Sequence, residues 1–105
     1  MEQFVYSRVW YGRKIIVKKL ELNDSKQVLA GYIELIKSDP KDWIRHAAVA
    51  DKYYFDDLYP FDQLADHLSF AGYLYDEKHL FIGFDTQNLD KDRCIEKLKM
   101  AARSL

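Results

Sequence analysis

The chain is short of the residues that staple, break or span. One of its 105 residues, Cys94, is cysteine. No disulfide can therefore close within the chain, and no multi-cysteine zinc site can form. Its four glycines are isolated, which excludes a glycine-rich phosphate loop. The three histidines, His46, His67 and His79, include no H-x-x-x-H pair, so any metal would need carboxylates to complete its shell. No apolar run approaches the roughly 20 residues that cross a bilayer. The formal charge of −1 leaves no global basic field, and direct nucleic-acid binding is not expected. Met1-Glu2-Gln3-Phe4 lacks the charged-then-apolar pattern of a signal peptide. With a single cysteine, this makes a reducing cytosol the expected location. Asn23-Asp24-Ser25 matches the glycosylation triplet but reads as a turn.

What the chain has is aromatic area. Eight Tyr, six Phe and two Trp make up 15% of it, within an apolar share of 49% and a charged share of 31%. That balance argues against disorder. A chain of this length buries roughly two thirds of its unfolded surface, enough for one core, and no repeat or linker divides it. One α+β domain over residues 1–105 is expected.

Aromatic and β-branched residues from Phe4 to Trp10 and from Lys14 to Leu22, with Tyr11-Gly12-Arg13 between them, predict a β-hairpin. Gln27 to Lys37 predicts a third strand with both faces buried. Asp39 is a candidate helix cap and Pro40 a candidate first helical residue, opening a short helix to about Asp51 with Trp43, Ala47 and Ala50 on one stripe. Lys52 to Phe61 reads as an aromatic loop, and Phe61 to Asp66 as a further helical turn. Leu68 to Tyr75 and His79 to Asp85 predict a second hairpin around Asp76-Glu77-Lys78. A last helix runs from about Asp90 to Arg103, capped by Asn88 or Asp90, with Ile95, Leu98, Ala102 and Leu105 as its apolar stripe. The expected architecture is an antiparallel sheet of about five strands, two hairpins plus a central strand. It packs against a C-terminal amphipathic helix, with a short helix or loop inserted in the middle.

Four segments carry a likeness to known proteins. They are Ala30-Gly31-Tyr32-Ile33-Glu34-Leu35, Tyr54-Phe55-Asp56-Asp57-Leu58, Leu68-Ser69-Phe70-Ala71-Gly72-Tyr73, and Leu80-Phe81-Ile82-Gly83-Phe84-Asp85-Thr86. In this order they resemble a family of small bacteriophage and prophage proteins with the motifs G-Y-V-E-V-P, H-G-G-L-T-Y-A-G and W-W-I-G-F-D-T-x-H. The G-F-D-T run is the most specific piece, and the likeness covers about three quarters of the chain. Where the family has His-Gly-Gly this chain has Ala65-Asp66-His67, and the histidine after G-F-D-T is replaced by Asn88. A site built on those histidines would be lost or moved here. The resemblance implies phage origin and a role in host takeover or counter-defence, as in anti-CRISPR proteins, exercised in the host cytosol.

Charge is unevenly placed. Asp51, Asp56, Asp57, Asp62 and Asp66 interleave with Tyr53, Tyr54, Phe55, Tyr59 and Phe61. Two arrangements fit: aromatics in the core beneath a solvated acidic face, or a recognition surface for a basic host protein. In the second, Tyr53, Tyr54, Asp56, Asp57, Tyr59, Asp62 and Asp66 are the contact residues. Tyrosine supplies area and a hydroxyl, and carboxylates pair with arginines of a nucleic-acid-binding protein. Arg13, Lys14, Lys18 and Lys19 of the first hairpin are the alternative, a phosphate-binding set. The expected function is a non-catalytic inhibitor of a host protein, with a small-ligand or nucleotide-binding sponge as the alternative. No cofactor is expected. The best metal candidate is Asp66-His67 beside Asp85, weighed against ordinary surface roles. Cys94 sits near a helix N-terminus, where a thiol can be activated, but burial within the helix is the competing reading.

Overall fold

Two residues with positive φ, Tyr11 (53°) and Gly12 (79°), make the first turn. Positive φ at both central positions matches the right-handed twist of the strands on either side, and glycine adopts it without steric cost. Trp10 is thereby set opposite Arg13. The structure, a computed structural model, describes residues 2–21, 27–86 and 90–105. The proposed turn at Asn23-Asp24-Ser25 and the candidate cap Asn88 lie outside them.

The elements follow in the order β1 (Glu2–Trp10), β2 (Arg13–Glu21), β3 (Gln27–Leu35), α1 (Lys41–Ala48), β4 (Phe70–Tyr73), β5 (Leu80–Thr86) and α2 (Lys91–Ser104). Two 3-10 turns, Lys52–Phe55 and Phe61–Gln63, lie between α1 and β4. All strand pairs are antiparallel, in the spatial order β1-β2-β3-β5-β4. The fold is α+β, with two hairpins joined through β3 as expected.

Alternation along the strands sorts side chains onto two faces. Ile15, Val17, Ile33, Leu35, Ile82 and Phe84 meet Cys94, Ile95, Leu98, Ala101 and Ala102 of α2, together with Ala47 of α1, in the main core. The α2 helix lies mainly over β2 and β3, and α1 over β4 and β5. On the other face no helix packs among the described residues. There Ile16, Ala30, Tyr32 and Phe81 form a second buried cluster, edged by Leu20, Phe70 and Leu74. Central β5 is buried on both faces from Leu80 to Phe84, as central strands are. A register shift between Phe4 and Tyr6 in β1 turns Tyr6 toward the helices, while Phe4 stays on the open face beneath the Lys18 ammonium.

Two glycines interlock β3 with β5. Gly31 lies opposite Phe84, and Tyr32 opposite Gly83. A Cβ on Gly31 would come within 2.8 Å of Phe84 Cε1 and 3.0 Å of Cys94 Sγ, so its absence admits α2 close to the sheet. A Cβ on Gly83 would come within 2.5 Å of the Tyr32 ring, so Tyr32 lies flat across that strand. The Gly31-Tyr32 and Gly83-Phe84 pairs thus serve packing.

Element boundaries differ from the sequence expectation in places. The third strand stops at Leu35, before Lys37. Pro40 is the cap position of α1 and supplies no side-chain bond, and the helix ends at Ala48, before Asp51. Asp39 does not cap α1. Its carboxylate takes a buried bidentate bond from Arg13 at 2.6 and 2.5 Å, plus the Ile36 N–H at 2.8 Å. A distant guanidinium thus outcompetes the local helix start, because a charged pair in a dry site is stronger than one cap. Ala50 lies beyond the helix at φ 58° and is exposed. β4 is four residues long, and Gly72 within it sits at φ 144°. Asp90 caps α2 through the Arg93 N–H at 2.8 Å.

Candidate functional site

The segment from Asp51 to Asp66 is held from below by aromatic rings. Phe55 and Phe61 are fully buried, each contributing about 1.5–3 kcal/mol by removal from water. Edge-to-face contacts link Tyr54 to Phe55, Phe55 to Phe61, and Phe61 to Trp43, with centroids 5.2–5.3 Å apart. Such contacts fix ring orientation beyond simple burial. The first 3-10 turn ends on Phe55 and the second starts at Phe61, so the segment is displayed on a backbone pinned at both rings.

The proposed contact residues fall into two groups. Tyr53 is 73% exposed and Tyr59 61%, and Asp57, Asp62 and Asp66 are exposed too. Lys52 Nζ lies 5.5 Å from the Tyr53 ring, and the Tyr59 hydroxyl donates to Ser104 Oγ at 3.2 Å. The second group is engaged internally. Tyr54 stacks on His46 at 3.7 Å, and His46 Nδ1 is 2.9 Å from Asp51. Asp56 accepts the Leu68 N–H at 2.8 Å and faces His67 at 3.6 Å, which makes it a structural brace. The segment is therefore split: phenylalanines and Asp56 face inward, and two tyrosines and three aspartates are exposed. Tyr59 and Pro60 also separate two adjoining depressions of about 370 and 300 Å³.

The alternative basic set is divided. Arg13 is buried in its pair with Asp39 and also donates to the Glu34 carbonyl at 3.1 Å. Lys14 lies 5.3 Å from the Tyr75 ring, and Lys18 is buried between the Phe4 and Tyr32 rings. Lys19 alternates onto the face of Val17. The four cations do not converge on one point.

Sequence reasoning did not single out a third feature. Lys37, Lys41, Arg45 and Lys78 line a depression of about 430 Å³ together with Leu35, Ile44 and Leu80. Lys37, Lys41 and Arg45 follow one another at four-residue intervals, a legible signal; Lys78 joins them only through the fold.

No family model, curated protein or solved structure matches the chain.

Asp66 and Asp85 border one depression of about 230 Å³ with Lys97, while His67 faces Asp56 instead. Among the described residues no group of three His, Cys, Asp or Glu is arranged to hold a metal ion. Cys94 is fully buried against the sheet; burial pushes its thiol up to about 11, against a smaller pull from Lys97. Asp76 receives the Lys78 and His79 N–H groups at 2.9 Å and the His79 ring at 2.6 Å. The Lys78 bond is the largest cause holding its carboxyl below 3.8. Among the described residues no helix is long and apolar enough to cross a membrane.

Proposed function

We propose that this chain is a non-catalytic accessory protein of phage origin that binds a basic surface on a host protein and blocks it. The host target is a nucleic-acid-dependent defence enzyme. The observation that supports this reading is the pinned display of Tyr53, Asp57, Tyr59 and Asp62. Two tyrosines are largely exposed over anchors, Phe55 and Phe61, that are fully buried.

A rigid tyrosine loses little conformational freedom on docking, and the aspartates beside it speed encounter with a cationic groove. Charge is screened over about 8 Å at physiological salt, so the aspartates act at contact, on the rim of the tyrosine patch. Phage origin and the host defence target rest on the motif likeness of the Gly31-Tyr32 and Gly83-Phe84 segments.

The test compares two sets of variants in a plaque assay on a host carrying its defence system, with capture of the target as a second readout. Tyr53→Ala, Tyr59→Ala, Asp57→Lys and Asp62→Lys together should abolish protection, and each tyrosine alone should cost about tenfold in affinity. Asp56 stays native because it braces Leu68. Lys14→Glu with Lys19→Glu should leave protection intact. Loss of protection in the lysine pair but not in the acidic-aromatic set would overturn the reading.

A further inference from the structure

The rim of the 430 Å³ depression gathers cations from three separate segments. Lys37 comes from the loop after β3, Lys41 and Arg45 from α1, and Lys78 from the β4–β5 turn. Among the described residues lining it there is no carboxylate. All four side chains are exposed. Arg45 shares Asp42 at 2.9 Å, in a pair about 70% open to water on both sides. Lys37, Lys41 and Lys78 make no ion pair among the described residues. Like charges around one depression repel one another, and a bound anion relieves that cost.

The floor is of a different chemistry. Leu35 and Leu80 are buried, Ile44 half-buried, and Tyr73 stands in the wall with 45% of its surface exposed. A site of a few hundred Å³ with an apolar floor and convergent charge is the usual form of a small-molecule pocket. Inorganic phosphate would satisfy the rim and leave the floor wet. An uncharged ring would satisfy the floor and leave the rim repelling itself.

We infer that this depression binds a nucleoside phosphate, with the phosphate held by Lys41, Arg45 and Lys78 and the base set over the apolar floor against Tyr73. Arg45 can offer two parallel N–H donors to phosphate, which the lysines meet as point charges. Tyr73 offers a ring face for stacking. The site shares no residue with the acidic-aromatic face, so its test is independent of the partner-binding reading.

The experiment titrates the full chain with AMP, GMP, CMP and UMP by calorimetry, beside inorganic phosphate and adenosine. At least one nucleotide should bind more tightly than both inorganic phosphate and adenosine, and binding should weaken as salt rises. Lys41→Ala with Arg45→Ala should reduce that affinity about tenfold or more, as the loss of charge-assisted hydrogen bonds does, with an unchanged melting temperature. Tyr73→Leu should weaken nucleotide binding and leave inorganic phosphate unaffected. Lys14→Ala with Lys19→Ala should leave nucleotide binding unchanged. The inference is overturned if no nucleotide binds, if inorganic phosphate or adenosine binds as well as the best nucleotide, or if binding survives the Lys41/Arg45 double substitution. Should that double variant fail to fold, Lys37→Ala with Lys78→Ala, the other two cations of the rim, reads the same charge dependence.

Discussion

Replacing Gly83 by alanine tests the interlock of β3 and β5 directly. The added Cβ would lie 2.5 Å from Tyr32 Cδ1, 2.7 Å from Cε1 and 3.1 Å from the Gly31 carbonyl oxygen. Ordinary carbon contacts begin near 3.5 Å, so the ring must move by about 1 Å. Tyr32 has little room to do so, being 7% exposed and in edge-to-face contact with Phe70 at 5.6 Å. Inserting one methyl into such a site costs about 1–3 kcal/mol. For a domain of this size each kcal/mol lowers the melting temperature by about 4–8 °C. The decisive step is the second background. With Tyr32→Ala the ring is gone and only the 3.1 Å approach to the Gly31 carbonyl oxygen remains. Alanine should cost clearly less there, offset in part because it loses less backbone entropy on folding than glycine does. Gly83→Ala is thus expected to destabilise the native chain markedly more than the Tyr32→Ala chain. Urea denaturation of all four proteins gives the coupling energy. Equal costs in both backgrounds, within about 0.3 kcal/mol, would refute the contact as the reason for glycine.

Further outcomes follow from the buried and bonded groups. Asp39→Asn should cost about 3–5 kcal/mol in urea denaturation, because it leaves the Arg13 charge buried without its partner. Arg13→Met combined with Asp39→Leu should recover much of that loss, since two apolar groups leave no orphan charge. Asp76 has its folded pKa below its unfolded 3.8; its contribution is complete above about pH 4 and is lost as pH falls through the lower folded value. The melting temperature of Asp76→Asn should therefore lie below the native one at pH 7, with the difference closing in acid. Cys94, with its thiol pushed up to about 11, should resist iodoacetamide at pH 8 while folded and react once urea unfolds the chain; equal rates in the two states would mean that the helix does not cover it.

Local physics was enough for most of the fold. Aromatic and β-branched content marked β2, alternation marked β3 and β5, Tyr11-Gly12 marked the first turn, and the three-and-four spacing of Ile95, Leu98 and Ala102 placed α2 on the sheet. What failed was non-local. Asp39 has the chemistry of a cap, and nothing near it in sequence says that Arg13 will claim it. Leu68 and Tyr75 alternate as well as the residues between them, yet β4 stops short of both. The candidate site was legible in composition but not in direction. Aspartate and tyrosine at irregular intervals have no period, so only the 3-10 turns reveal that Tyr53 and Tyr59 face outward while Asp56 turns in. Lys78 belongs with Lys41 and Arg45 solely because the β4–β5 turn arrives beside α1.

The strand order has a consequence for any shortened form of the chain. β3 receives one neighbour, β2, from the residues just before it, but its other neighbour is β5, which arrives only after α1, both 3-10 turns and β4. A fragment that ends anywhere before Leu80 therefore carries β3 as an open edge of nine residues. Its free N–H and C=O groups would be flanked by apolar side chains on both faces, among them Ile33, Leu35 and Tyr32. The native protein has none of the usual protections on that edge, such as a charged rim, a proline or a bulge, since β5 seals it. Truncation in the second half thus produces a template for pairing with other chains, and a minimal working version of this protein has to keep β5 whatever else it discards.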